Sequence, residues 1–331
     1  MKILIYSHSK DIDGLGSIIL GKLAFNSFDY ELFPSPKELS DKALEDIKSN
    51  KYTTYDKVFV TDLTLPEPAI SLVNENEFIK NKIAIFDHHH SAIINAYNLY
   101  DFSHIKVVDD NGMLTCGTRL FYEHLVNNGY LTPTNVLNDL VEKIRLEDTW
   151  DWKKAGSIGV EAHNLAILHS KLGNELFISE MLNSINKSGD KLQLSTKNIQ
   201  IIEATKIENE KVLNELLDQM EYFNDESNNK YGIVFGSHEY VNDLSQKIRD
   251  LQNPYNIDYI IVVSLDSNSR SYRSIDYQNF NVATIAINHG GGGQFGAAGA
   301  GIDEKQKAKA LTLNKRDALN YLANSKYEGT N

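Results

Sequence analysis

One cysteine, Cys116, stands in 331 residues. That excludes an intrachain disulfide, a cysteine zinc cluster and a CxxC redox centre, and the thiol is expected to be buried and inert. No apolar run approaches the ~18 residues that a membrane span requires. The opening MKILIYSHSKDIDG turns polar before a signal-peptide core can form, so a cytoplasmic protein is expected, with no membrane partner. Basic charge is also scarce: 33 Lys and Arg face 45 Asp and Glu, a formal charge of −12. This sign is opposite to the footprint of a protein that tracks long nucleic acid, so any polyanionic partner should be short. Part of the acidic excess can instead seat divalent cations. There is no internal repeat, and no proline interrupts residues 164–224.

What is present reads as an ordinary globular chain, 41% hydrophobic and 24% charged, long enough for two cored domains. Apolar runs at Lys2–Tyr6, Lys57–Thr61 and Lys82–Phe86 predict buried strands, and helical periodicity follows from Leu15, Pro66 and Thr115. That rhythm belongs to an open parallel α/β sheet, whose ligands sit beyond the carboxyl ends of the strands. Residues 164–224 are polar and helical in period and predict a connecting helical segment. A second α/β unit follows, with strands at Tyr231–Gly236, Tyr259–Leu265 and Arg270–Ile275, a turn at Asp266–Ser269, a glycine loop and a terminal helix.

Each N-terminal strand stops at acids or histidines. After the first comes His8-Ser9-Lys10-Asp11-Ile12-Asp13-Gly14, where two aspartates two residues apart can address neighbouring points and Gly14 lets the chain turn into a helix. Alone, such a pair is more often a turn or helix cap. Asp62 ends the second run, and Asp87-His88-His89-His90 ends the third, with three of the ten histidines together. Delivered to one sheet edge, this many carboxylates would raise one another's pKa, and metal ions would resolve the conflict. A fourth segment, Arg145-Leu146-Glu147-Asp148-Thr149-Trp150-Asp151-Trp152, ends an amphipathic helix that starts near Asn135. Alone it reads as a helix C-terminus followed by two core tryptophans.

In order, His8, Asp11-Ile12-Asp13-Gly14, Asp62, Asp87-His88-His89 and Asp148-Thr149 resemble the motifs of the DHH phosphoesterase superfamily. Within it the chain most resembles the nanoRNase B type of oligoribonuclease, through Asp109-Asp110-Asn111-Gly112, Asp148-Thr149-Trp150-Asp151-Trp152, Asn253-Pro254 and Asp258-Tyr259-Ile260. The resemblance covers about Met1 to Ile302 and implies three parts. Residues 1–163 would be the metal-binding catalytic DHH domain, 164–225 a helical connector, and 226–331 a smaller DHH-associated substrate-binding domain, with a cleft between the domains. It implies that His8, Asp11 and Asp62 hold one metal, and Asp13, Asp62, His88 and Asp148 the other, Asp62 bridging both. Asp87 would orient the site and His89 touch the substrate phosphate. His90 lies outside the triplet and receives no role. Mixed carboxylate and imidazole donors suit Mn²⁺ better than Mg²⁺.

The second unit resembles the DHH-associated domain through Gly290-Gly291-Gly292-Gly293-Gln294-Phe295-Gly296. Gly291, Gly292 and Gly293 can bring backbone N–H groups close to a phosphate, but Gln294 stands where the family pattern has histidine. Arg273 matches a substrate-contacting position, and Arg119 and Arg145 are weaker candidates. The resemblance implies hydrolysis of short RNA or DNA oligonucleotides to nucleoside monophosphates by a metal-activated water. Cyclic dinucleotides and 3′-phosphoadenosine nucleotides are the alternative substrates, a catalytically weakened nucleotide-binding protein is a third reading, and homodimerisation is left open. Trp150, Trp152 and Phe295 are the aromatic candidates for stacking a base, although core packing is the expected place of both tryptophans.

Overall fold

The chain divides into two compact units, Met1–Thr205 and Lys206–Asn331. The computed structural model describes residues 1–95, 97–276 and 279–326. In the first unit the elements are β1 (Ile3–His8), α1 (Ile12–Ala24), β2 (Phe28–Phe33), α2 (Pro36–Lys48), β3 (Lys57–Thr61), α3 (Glu67–Glu75) and the single turn α4 (Glu77–Lys80). There follow β4 (Ile83–Asp87), the short α5 (His90–Ile94), β5 (Ser103–Ile105), α6 (Gly117–Asn127), α7 (Asn135–Asp148) and α8 (Gly156–Lys187). Helix α9 (Thr196–Asp218) contains the division between the units.

All five strands of the first unit run parallel in the order β2-β1-β3-β4-β5. Their period-2 alternation divides two cores. Ile3, Ile5, Phe59, Ala84 and Phe86 face one way, toward α1, α6, α7 and α8, while Leu4, Tyr6, Val58, Val60, Ile83 and Ile85 face α2 and α3. Burial on both faces explains why β1, β3 and β4 read as continuous apolar runs. This order reverses direction between β1 and β3, and the crevice beyond their carboxyl ends is where such sheets bind ligands. β2 and β5 are not among the expected strands. The first is a half-exposed edge and the second has three residues, so neither forms an apolar run.

The second unit contains β6 (Glu221–Asn224), β7 (Lys230–Phe235), α10 (Val241–Asp250), β8 (Tyr259–Ser264), β9 (Ser269–Ser274) and α11 (Val282–Asn288). β10 (Gly292–Gln294), β11 (Ala297–Gly301), α12 (Glu304–Ala310) and α13 (Lys315–Asn324) complete it. Its sheet has the order β10-β11-β9-β8-β7-β6, in which only β7 and β8 pair in parallel. Two expectations need correction. The stretch expected to be helical through residue 224 ends in β6, which pairs with β7. The glycine loop is in part an edge strand, with Gly292 opposite Gly299, Gly293 opposite Ala298 and Gln294 opposite Ala297. A side chain at Gly293, whose φ is +149°, would lie 2.5 Å from the Ala298 Cα, so the glycine is needed for the strands to close. No helix among the described residues is long and apolar enough to cross a membrane.

Candidate active site

The ends of β1, β3 and β4 and the ends of two helices deliver the acidic and imidazole residues to one place. His8 is the last residue of β1, and Asp11 caps α1, accepting from the Gly14 amide at 3.2 Å. The cap reading of Asp11 is therefore real, and its other oxygen lies 2.8 Å from His8 Nδ1. Asp62 follows β3 in left-handed backbone, φ 56°, a conformation that aspartate tolerates better than most residues. Its amide donates to Phe86 O at 2.9 Å, which fixes the turn against β4. Asp87 ends β4, and one of its oxygens accepts from the amides of His88 and His89 at 2.8 and 3.2 Å and lies 2.7 Å from His89 Nδ1. Asp148 is the final residue of α7.

Two sets of donors emerge. His8, Asp11 and Asp62 have ligand-type atoms within 4.8 Å of one another, and so do Asp13, His88 and Asp148. Asp62 stands between them, with Oδ2 at 3.5 Å from His8 Nδ1 and Oδ1 at 3.3 Å from His88 Nε2. The latter nitrogen also lies 3.5 Å from Asp148 and 3.7 Å from Asp13. A further grouping joins Asp62 to Asp87, His88 and His89.

Asp13 is held by something that side-chain spacing does not announce. Its two oxygens accept from the amides of Gly117 and Thr118 at 2.8 Å each, at the N-terminus of α6, where the helix dipole favours an anion. Gly117 is required there: a Cβ would lie 2.7 Å from the Asp62 amide nitrogen. The trace of this contact in the sequence is a glycine at a helix start, which on its own says nothing about its partner.

The electrostatics match the crowding. Burial raises Asp62 well above the carboxylate range, and the charges of Asp13 and Asp11 add to it. Burial and the Asp13 charge likewise push Asp148 up to about 9. For His8, burial opposes protonation, but hydrogen bonds and charges from Asp11 and Asp62 win and raise it to about 10. Burial opposes protonation of His88 too, and the charges of Asp13 and Asp148 raise its pKa. Asp62 Oδ2, His88 Nε2 and Asp148 Oδ2 are buried without a hydrogen-bond partner. Leaving such atoms unpaired is costly; Asp62 Oδ2 faces the His8 set and the other two atoms belong to the His88 set, where cations would satisfy them. The donor set therefore fits metal ions.

Other candidates are placed elsewhere or engaged in structural bonds. Arg145 is buried, bonded to Glu142, Asp151 and the Leu114 carbonyl, and Arg119 pairs with Asp109 and Glu123. Cys116 is buried, and burial together with the Asp13 charge keeps its thiol protonated. His90 opens α5. In the second unit Gln294, Ala297 and Arg273 are successive cross-strand partners and so share one face of the sheet. Arg273 is braced there by Nε to Asn242 Oδ1 at 2.7 Å. The tryptophans are not core residues: Trp150 is 49% exposed, and the half-buried Trp152 stacks on His163 with centroids 4.1 Å apart. A cavity of about 600 Å³ lies in the second unit, beside Tyr231, Tyr259 and His289, and none of these metal-type groups lines it.

Residues 2–144 match the DHH family, N-terminal domain. Over 310 residues the chain is 30% identical to oligoribonuclease NrnB of Bacillus subtilis (strain 168), spanning 91% of this chain and 73% of that protein. Among solved structures, the pGpG-specific phosphodiesterase PggH from Vibrio cholerae superposes with a TM-score of 0.55 at 14% identity, covering 94% of this chain and 97% of that one. The DHH domain of a member of a family of ribosomal proteins gives 0.51 at 16% identity, over 98% and 87%. Both likenesses concern the fold.

Proposed function

Since the chain belongs to the DHH phosphoesterase superfamily, in its nanoRNase B type, and is a hydrolase of phosphoester bonds, we propose that it cleaves short oligonucleotides to nucleoside monophosphates. The observation that carries the reading is the convergence of His8, Asp11, Asp13, Asp62, His88 and Asp148, with three orphaned buried atoms, at the reversal point of the sheet. His8, Asp11 and Asp62 would hold one divalent ion, and Asp13, Asp62, His88 and Asp148 the other, with manganese the best match to mixed oxygen and nitrogen donors. Bound there, such a pair supplies an acidified water and neutralises charge on the phosphoryl oxygens.

The chain's own residues prepare this chemistry. Asp87 accepts from two backbone amides and holds His89, half exposed, where it can donate to a substrate phosphate. The amides of Gly117 and Thr118 keep Asp13 in place. Gln294 and Arg273, on one face of the second sheet, with Gly291, Gly292 and Gly293, are the proposed phosphate-binding group. A formal charge of −12 favours short substrates over long ones, and a cytoplasmic setting belongs to the same proposal.

The test is nucleotide release from a panel in Mn²⁺ buffer: di- to pentanucleotides of RNA and DNA, long single strands, cyclic dinucleotides, 3′-phosphoadenosine nucleotides and pyrophosphate. Dinucleotides should be turned over with the highest kcat/KM. Equal cleavage of long strands, or undiminished activity in excess chelator, would overturn the reading.

A further inference from the structure

A cavity of about 360 Å³ opens beside the metal-type cluster, within the first unit, lined by Lys10, Asp11, Asp13, Asp148, Trp150 and His169 among others. Its size lies at the small end of the roughly 300–1,000 Å³ typical of ligand pockets, which is room for one nucleoside and not for a run of them. Three of these residues belong to the cluster itself, so a molecule in the cavity would be in reach of the reacting phosphate.

Trp150 is the unusual member. It follows the α7 C-cap, Thr149, in left-handed backbone with φ 62° and ψ 9°, at a position that glycine normally takes. Of the other described non-glycine residues with positive φ, all but Gln252 are Asn or Asp, whose short polar side chains tolerate it, and none is aromatic. A bulky aromatic there is strained, and strain at such a place marks function more often than stability. Nor does burial offset it, because the side chain is 49% exposed. Lys153 Nζ lies 4.6 Å from the ring centroid, a cation–π contact that restrains the indole.

Resting on the oligonucleotide reading above, we infer that Trp150 is the platform on which a nucleobase of the substrate stacks, and that this cavity is the nucleoside subsite next to the cleaved phosphate. Stacking on an indole accepts every base, so the subsite discriminates weakly among the four.

The direct test uses the full chain with Trp152→Phe, which leaves Trp150 as the sole emitter of two tryptophans. Adenosine 5′-monophosphate should quench its fluorescence, and ribose 5-phosphate, lacking a base, should not. In kinetics, Trp150→Ala should raise KM for a dinucleotide by roughly 5- to 150-fold, the equivalent of about 1–3 kcal/mol of stacking, with kcat changed little. Trp150→Phe should recover most of the loss, and an abasic dinucleotide should be cleaved alike by all variants. Trp150→Gly guards against a folding artefact, because glycine adopts this backbone without strain, and it should match Trp150→Ala in KM. An unchanged KM in both variants, or equal quenching by ribose 5-phosphate, overturns the subsite. If the unaltered protein cleaves no oligonucleotide, the proposed function fails, and the quenching experiment still decides whether a base binds here.

Discussion

Gly117→Ala is a one-methyl perturbation aimed at the geometry of the cluster, since it adds no charge and removes no ligand-type atom. The new Cβ would lie 2.7 Å from the Asp62 nitrogen, 2.8 Å from its Cα and 2.9 Å from its Cβ, whereas ordinary contact begins near 3.4 Å. Asp62 or the start of α6 must therefore move by roughly 0.7 Å, because buried backbone has no flexible end to swing aside. Overpacking of this kind costs about 1–3 kcal/mol, and at about 2–4 °C per kcal/mol the melting temperature should fall by roughly 2–12 °C. The larger effect is on position. Asp62 links the two donor sets, and displacement approaching 1 Å can cost on the order of 10²-fold in rate, so kcat/KM on a dinucleotide should drop by about 10- to 100-fold. Gly129→Ala is the control: that glycine, unlike Gly117, has positive φ, +71°, and a Cβ there meets nothing within 4 Å, so the substitution should lower stability and leave kcat/KM intact. Full activity in Gly117→Ala, or equal loss in the control, would refute the argument that this contact positions Asp62.

Three further outcomes follow from the same site. Asp62→Asn should abolish turnover and yet stabilise the chelated protein at pH 8 by on the order of 1–3 kcal/mol, since it removes a buried carboxyl whose ionisation is disfavoured; steady-state kinetics and thermal melts with and without Mn²⁺ check the two halves. The chelated protein should also lose stability as pH rises from 5 to 9. Asp148, raised to about 9, favours folding with its proton on, a contribution fully present below about pH 4 and lost through pH 9; His8, raised to about 10, contributes fully below about pH 6.5 and loses it through pH 10. A flat or rising melting temperature over this range counts against the crowding, and added Mn²⁺ should flatten the slope by replacing protons with cations. Gln294→His should raise kcat/KM several-fold, more at pH 6 than at pH 8, if position 294 meets phosphate, because a charged hydrogen bond exceeds a neutral one by about 1 kcal/mol; steady-state kinetics across pH decides it, and no change removes the residue from the site.

Much of the cluster is readable because of where its members stand. His8, Asp62 and Asp87 each follow or end a run of apolar residues buried on both sheet faces, and such runs are the strongest local signal a parallel strand gives. Asp148 ends an amphipathic helix, which periodicity also reports. What is not legible depends on long-range backbone contacts. The support of Asp13 by amides more than 100 residues away leaves no side-chain pattern. The glycine run carries no strand signal because β10 has little side-chain alternation, and its pairing with β11 is a backbone event. Hydrophobicity alone puts the tryptophans in the core, but they follow the end of α7, where the chain turns away from the packed interior.

Most members of the cluster stand at the end of an element or directly beside it. His8 closes β1, Asp11 precedes α1, Asp62 follows β3, Asp87 closes β4 and Asp148 closes α7. Ends are where strands and helices open first, since the last hydrogen bonds have neighbours on one side only. Ions held by His8, Asp11, Asp62 and Asp148, with His88 just after β4, would tie together five ends that would otherwise fray independently. Amide exchange at the carboxyl edge of the sheet would then slow as a single unit, while amides in the middle of the strands would keep their own rates. The candidate site would in this way also act as a clasp on the edge of the fold, making local opening there cooperative across segments far apart in sequence.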